Sequence, residues 1–174
     1  MFLASIKTGF FIDWEQEDLL QVIKLNVVGQ TLLAHHFGKK MAARGKGGII
    51  LMGSLAGVAG SPTVITYSGA KAYSQIFSEG LWWELGQKGV DVLHVVVGST
   101  DTPAMERLGI SGDQVPPDWV AELSLANIAN GPVFVMPEMQ EGFLQLTTAD
   151  RRAVTLGNAG FIMGNTEGTW IEAE

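Results

Sequence analysis

Residues 47–70 carry no charged side chain. A stretch that long without charge belongs either in a bilayer or in a protein interior. A bilayer crossing needs about 20 consecutive, predominantly apolar residues in one helix. This stretch is broken by Gly47, Gly48, Gly53, Gly57 and Gly60, by Ser61-Pro62-Thr63, and by Tyr67-Ser68-Gly69. It reads instead as a buried strand at about 49–53, a glycine-rich loop and the start of a helix. Two further apolar runs, Val90–Val97 and the shorter Pro132–Met136, read as buried strands as well.

Between the strands the pattern is helical. Leu19, Ile23, Val27 and Leu20, Val28, Leu32 recur at helical spacing in a helix from about Trp14 to Arg44. Asp13 is its expected N-cap, with Gln16 as capping-box partner, and the glycines at 45, 47 and 48 end it. Tyr73, Ile76, Phe77 and Leu81 mark a second long helix, about 64–87. A third helix is expected at about 118–129 and a fourth near 148–157, with Thr148 as its cap. Residues 1–12 read as a loop with Phe10, Phe11 and Ile12 as apolar anchors. Residues 103–117 read as a mobile segment with a short helix. Beyond Gly157 the glycines, Asn158 and Asn165 weaken the helical pattern, and fraying is expected.

The residues that carry chemistry sit on the uncharged stretch. Ser54 ends the first strand, where open α/β sheets place their ligands. Tyr67 follows thirteen residues later and Lys71 four after that, so Tyr67 and Lys71 share a helix face. A free tyrosine, with a pKa of about 10, is a poor acid–base group near neutrality. A lysine cation at ~4 Å, at an effective dielectric of ~20, would favour the phenolate by roughly 4 kcal/mol and lower that pKa by up to roughly three units. Ser54 would hold a substrate oxygen beside the phenol. Tyr-x-x-x-Lys alone is weak evidence, because an exposed tyrosine over a lysine stem has the same spacing.

Taken together, Gly53-Ser54-Leu-Ala-Gly57, Tyr67-Ser-Gly-Ala-Lys71, Asn26-Val-Val-Gly29 and Val97-Gly98-Ser-Thr-Asp-Thr102 resemble the short-chain dehydrogenase/reductase family. The motifs occur in the family's order, and the resemblance covers residues 1 to about 145. It implies an α/β fold, a partial Rossmann-like parallel sheet with flanking helices. It implies NAD- or NADP-dependent interconversion of an alcohol and a carbonyl. Tyr67 would transfer the proton, Lys71 would tune it and bond the nicotinamide ribose, and Ser54 would orient the reacting oxygen. Asn26 would hold a water linking the lysine to solvent. Gly98 and Thr102 would receive the nicotinamide carboxamide, with Val97 standing where the family has proline. The resemblance also implies a small alcohol or carbonyl substrate and a homo-oligomer formed through the two long helices.

The family's opening Thr-Gly-x-x-x-Gly-x-Gly turn, which holds a dinucleotide pyrophosphate, is not in the sequence. The chain therefore reads as one domain, residues 1–174, corresponding to the C-terminal part of such an enzyme. An alternative is an inactive fragment serving as a binding or oligomerisation scaffold. An epimerase or dehydratase of the extended branch is a third reading, disfavoured because little chain follows for a substrate domain.

Composition narrows the rest. A net charge of −7 argues against a nucleic-acid surface, and no basic run suggests an anionic membrane. With no cysteine there is no disulfide or thiolate chemistry, which fits the reducing cytoplasm. His35 and His36 are adjacent and cannot share a helix face, so a metal pair is not expected; one is read as partly buried and one as exposed. His94, in a strand, is read as packed. Trp82 and Trp83 are equally compatible with core packing and with a partner's surface.

Overall fold

The computed structural model describes residues 8–107 and 114–164. Three parallel strands, β1 (Gly47–Met52), β2 (Val90–Val96) and β3 (Val133–Val135), form a sheet in the order β1-β2-β3. β2 is central: Gly47 pairs with Val90 and Met52 with Val95 on one side, and His94 to Val96 pair with Val133 to Val135 on the other. A strand flanked on both edges and covered on both faces must be apolar almost throughout. Val92, Leu93, Val95 and Val96 accordingly have no solvent exposure.

Side chains alternate between the two faces of the sheet. Leu93 and Val95 point to a core with Val120 and Met136, joined by Ile50, Leu123 and Ile128. That core lies under α5 (Pro117–Ala126). The opposite face carries α2 (Gln30–Arg44) and α3 (Ile65–Gly86), with α3 packed along β2. Where α2 crosses α3 and β1, Gly38 lets the helix approach: a Cβ there would sit 3.2 Å from Leu85 and 3.8 Å from Ile49. The expected α/β parallel sheet with flanking helices is therefore what the chain forms.

The first long helix is not uniform. α1 (Gln16–Ile23) passes into a π-helical turn at Lys24–Gly29 before α2 begins. The expected Asp13–Gln16 capping box does not form. Asp13 belongs to a preceding 3-10 turn, and Glu15, extended, is the N-cap without a side-chain bond. Gly45 closes α2 in the left-handed region at φ 69°, where glycine avoids the Cβ strain, and its N–H donates to the carbonyls of Met41 and Ala42.

Residues Phe10, Phe11 and Ile12 are more than half exposed and do not anchor the N-terminal segment. The segment is held by backbone, with Gly9 N–H donating to the Thr63 carbonyl at 3.0 Å. α4 (Pro103–Arg107) is the short helix expected within 103–117, of which 108–113 lie outside the described residues.

The C-terminal part differs most from expectation. Thr148 ends α6 (Gln140–Thr148) rather than starting a helix, and α7 runs from Arg151 to Gly164, past the glycines expected to fray it. Asp150 caps α7, its Oδ1 accepting from Ala153 N–H at 3.0 Å. Asn165 lies outside the described residues. His35 and His36 are both exposed; Trp82 packs near Gly131, whereas Trp83 is 63% exposed.

Candidate active site

Parallel strands bring their C-terminal ends to one edge of the sheet, so the loops after β1 and β2 lie side by side. Gly53 N–H donates to the Val95 carbonyl at 2.7 Å and Leu55 N–H to the Val97 carbonyl at 3.0 Å. Ser54 is thus pinned between two backbone bonds to β2 or the residue just beyond it. Its Oγ accepts from Ala56 N–H at 3.2 Å and caps the 3-10 turn Leu55–Gly57.

Tyr67, in the first turn of α3, is 9% exposed, and its phenol lies beside Ser54, near enough for that hydroxyl to act on its pKa. Lys71, one turn on, places its ammonium 5.5 Å from the centre of the Tyr67 ring, within cation–π range. The same ammonium donates to the Met52 carbonyl at 2.7 Å, at the end of β1. Gly57 allows the loop to lie against α3: a Cβ would fall 2.7 Å from the Lys71 backbone. Ser54, just past the end of a strand, and Tyr67 and Lys71, one turn apart on a helix, are one cluster in space.

Its electrostatics depart from the expectation. Burial raises the Tyr67 pKa, and the Ser54 hydroxyl lowers it in part. The lysine lies over the face of the ring and is turned to a backbone carbonyl, so the phenol oxygen does not receive the direct cation contact expected of it. Burial acts on the lysine instead, bringing Lys71 down to about 8. The group drawn toward working pH in the unliganded chain is therefore the lysine.

Next to this pair lies a residue read from sequence only as packed. His94 is 1% exposed, and its pKa is lowered to about 4, first by burial and then by the charge of Lys71. A Cβ on Gly53 would collide with His94 Nε2, so the ring fits beside the first residue of the Ser54 loop because Gly53 has no side chain. His94 Nδ1 is buried without a hydrogen-bond partner. The available signal was a histidine in an otherwise apolar strand, together with a glycine at the end of the neighbouring one.

Asn26 sits half-buried in the π-helical turn, and its side-chain amide donates to the Val22 carbonyl at 3.1 Å. Such turns are uncommon and occur often at functional sites. The helical spacing of the sequence did not reveal this one. Gly98 and Thr102 lie just past β2, at the same sheet edge as Ser54. A Cβ on Gly98 would come 2.5 Å from Met139 Sδ. Thr102 accepts from Met105 N–H, through its carbonyl at 2.9 Å and its hydroxyl at 3.4 Å, and so starts α4. The Ser99 hydroxyl between them is buried and has no hydrogen-bond partner among the described residues, a polar atom that faces this loop.

The profile of the short chain dehydrogenase family matches residues 3–110. A very-long-chain 3-oxoacyl-CoA reductase of Neurospora crassa is 38% identical over 98 residues, 56% of this chain and 29% of that protein. Among solved structures, a 7β-hydroxysteroid dehydrogenase superposes with a TM-score of 0.81 at 19% identity, over 90% of this chain and 64% of the other. A short-chain dehydrogenase from Sphingobium yanoikuyae, solved with NADPH, gives 0.71 at 22% identity, over 99% of this chain and 66% of the other. The chain spans about a third of the curated relatives it matches. With a match across most of its length, an α/β sheet of the same kind and the motifs in the same order, this chain belongs to the short-chain dehydrogenase family.

Proposed function

We propose that the chain works as an NAD- or NADP-dependent oxidoreductase that interconverts an alcohol and a carbonyl on a small molecule. The observation that carries this reading is the buried Tyr67 phenol beside Ser54 and overlain by Lys71 at the C-terminal edge of a parallel sheet. Relatives are named as reductases and dehydrogenases, and a structural neighbour was solved with NADPH.

In this reading Ser54 and Tyr67 both contact the substrate oxygen. The buried, neutral phenol donates its proton as a carbonyl oxygen gains negative charge, and accepts it back in the oxidative direction. The raised Tyr67 pKa keeps that proton in place until a reacting group demands it. Lys71, released from the Met52 carbonyl, would reach the nicotinamide ribose and bring its charge nearer the phenol oxygen. Gly98 and Thr102 would border the carboxamide. Asn26, on the π-helical turn, would support a water path to Lys71. Hydride transfer is the chemistry that the nicotinamide supplies when bound. The described residues fit that end of the cofactor; no glycine-rich phosphate turn accompanies them.

The wider expectations are part of the same proposal: a single domain over 1–174, a cytoplasmic setting and a homo-oligomer through the long helices. Exposed Leu32, Leu33, Phe37, Ile76 and Trp83 on α2 and α3 support the last of these. Among the described residues no helix is long and apolar enough to cross a membrane.

A second reading, a scaffold without activity, is favoured by one observation. β1 has no neighbour on its outer edge among the described residues, and an open edge invites pairing with another chain. Titration with NADH and NADPH, followed by nicotinamide fluorescence, decides between the two. Saturable binding and turnover of a carbonyl panel that Tyr67→Phe abolishes are expected. A folded chain that binds neither nucleotide would leave the scaffold reading.

A further inference from the structure

Four carbonyls of the loop between Ser54 and the start of α3, those of Ala56, Val58, Ala59 and Gly60, are held by side chains. Ser68 Oγ, on α3, donates to the Ala56 carbonyl at 2.6 Å and to that of Ala59 at 3.0 Å. Ser61 Oγ reaches the same two carbonyls at 3.4 and 3.3 Å. The next two holds come from much later in the chain. Arg151 spans the Val58 carbonyl with both terminal nitrogens, at 3.4 and 3.3 Å, and donates to the Leu146 carbonyl at 3.0 Å. Asn158 Nδ2 donates to the Gly60 carbonyl at 3.0 Å.

These two side chains lie on α7, separated from the loop by more than 90 residues in sequence. The same C-terminal segment makes other approaches to the sheet edge: Gly142 of α6 faces Leu55, and Met139 faces Gly98. The point of attachment matters. Val58 N–H closes the turn that Ser54 opens, donating to the Leu55 carbonyl at 3.1 Å, while Gly57 N–H donates to Ser54 itself at 2.9 Å. A guanidinium fork on Val58 therefore fixes the far end of the turn whose near end holds the Tyr67 partner.

We propose that Arg151 and Asn158 are positioning residues, with which α7 clamps the Ser54 loop and so sets where Ser54 stands relative to Tyr67. The role rests on the functional reading above, since it acts on that reading's proton-transfer pair, but its test does not need turnover. It places the site's geometry under the control of the C-terminal helix, not of β1 and α3 alone.

The test uses the full chain with Arg151→Met, Asn158→Asp and both together. The aspartate is isosteric but cannot donate. Hydrogen exchange of the peptide covering 55–64 reads the loop, and that covering 90–96 reports on the fold. The chain has two tyrosines, so 13Cζ labelling gives two ring signals, and Tyr73→Phe identifies the one from Tyr67. In the double variant, loop exchange should rise about tenfold, the size expected for losing hydrogen bonds to a charged group and an amide. The 90–96 peptide should be unchanged and the Tyr67 signal should shift. Arg151→Lys, which keeps charge without the fork, should restore part of the loop protection and covers the case in which Arg151→Met does not fold. Unchanged loop exchange would overturn the clamp, and faster exchange with an unmoved Tyr67 signal would overturn the positioning role. Nucleotide titration on the same samples judges the oxidoreductase reading separately.

Discussion

The two loops at the sheet edge are built in opposite ways. The loop after β1 is held by side chains: Ser61, Ser68, Arg151 and Asn158 each take a backbone carbonyl of residues 56–60. Among the described residues, the loop after β2 is held mainly by backbone. Val115 N–H donates to the Ser99 carbonyl at 3.1 Å and Asp101 N–H to the Val115 carbonyl at 2.9 Å, a short parallel bridge. Side-chain ties make the first loop sensitive to single substitutions beyond Ser54, whose own backbone is held by the bonds of Gly53 and Leu55. Backbone ties make the second tolerant of substitution. The residue that orients the reacting oxygen, Ser54, is thus expected on the specified loop, and the cofactor-receiving group on the tolerant one.

The most severe way to break this contrast is at the phenol. Tyr67→Phe should lower turnover by roughly a hundredfold to ten-thousandfold while thermal unfolding changes little, since only a hydroxyl is lost. Retention of most of the turnover would move the proton transfer away from the phenol beside the specified loop.

Next is the buried histidine beneath that loop. His94 has a folded pKa of about 4 against an ordinary 6.5, so between those values the unfolded chain binds more protons than the folded one. The stability that His94 confers is complete above pH 6.5 and is lost as pH falls toward 4, by about 3 kcal/mol in all. Denaturant titrations of the native chain and His94→Leu should show this slope only in the former. Equal slopes would mean that His94 meets solvent.

A smaller effect is expected at Gly53. Gly53→Ala should cost about 1–3 kcal/mol through collision with the His94 ring, and adding His94→Ala should recover part of it. Additive costs in that cycle would rule out the contact.

The smallest test compares the loops directly. Ser68→Ala removes the donor to two carbonyls and should cost about 1–2 kcal/mol, whereas Thr102→Ala, losing a hydroxyl bond at 3.4 Å beside a backbone bond that remains, should cost about 0.5 kcal/mol or less. Equal costs, read from chemical denaturation, would erase the distinction drawn between the loops.

The strands, α3 and the Ser54–Tyr67–Lys71 cluster were legible because they depend on local signals: unbroken apolar runs and an i, i+4 spacing. What escaped depends on contacts distant in sequence. The π-helical turn at Lys24–Gly29 shifts the phase of the helix that follows it, and Leu20, Val28 and Leu32, which helical spacing groups as one stripe, are exposed while Val22 and Ala34 are buried. The Tyr67 pKa was misjudged because spacing predicts nearness but not where a flexible ammonium points, and the Met52 carbonyl was not in view. α7 was cut short because Gly157 and Gly160 weaken propensity, yet Val154 packs at 9% exposure and Asn158 bonds the loop, and such tertiary contacts outweigh propensity. Arg151 looked like any surface arginine; only the fold shows what it reaches.

The fit of Gly53 against His94 also limits how this sequence can change. Exchanging the glycine first drives a side chain into the ring, and shrinking the histidine first leaves a hole beneath the serine. Any lineage that replaces one must pass through a less stable ancestor or change both within a short interval. The two positions should therefore be inherited as a unit, and a smaller residue at the second should not by itself admit a larger one at the first, because the Val95 carbonyl also lies 2.8 Å from where that Cβ would sit.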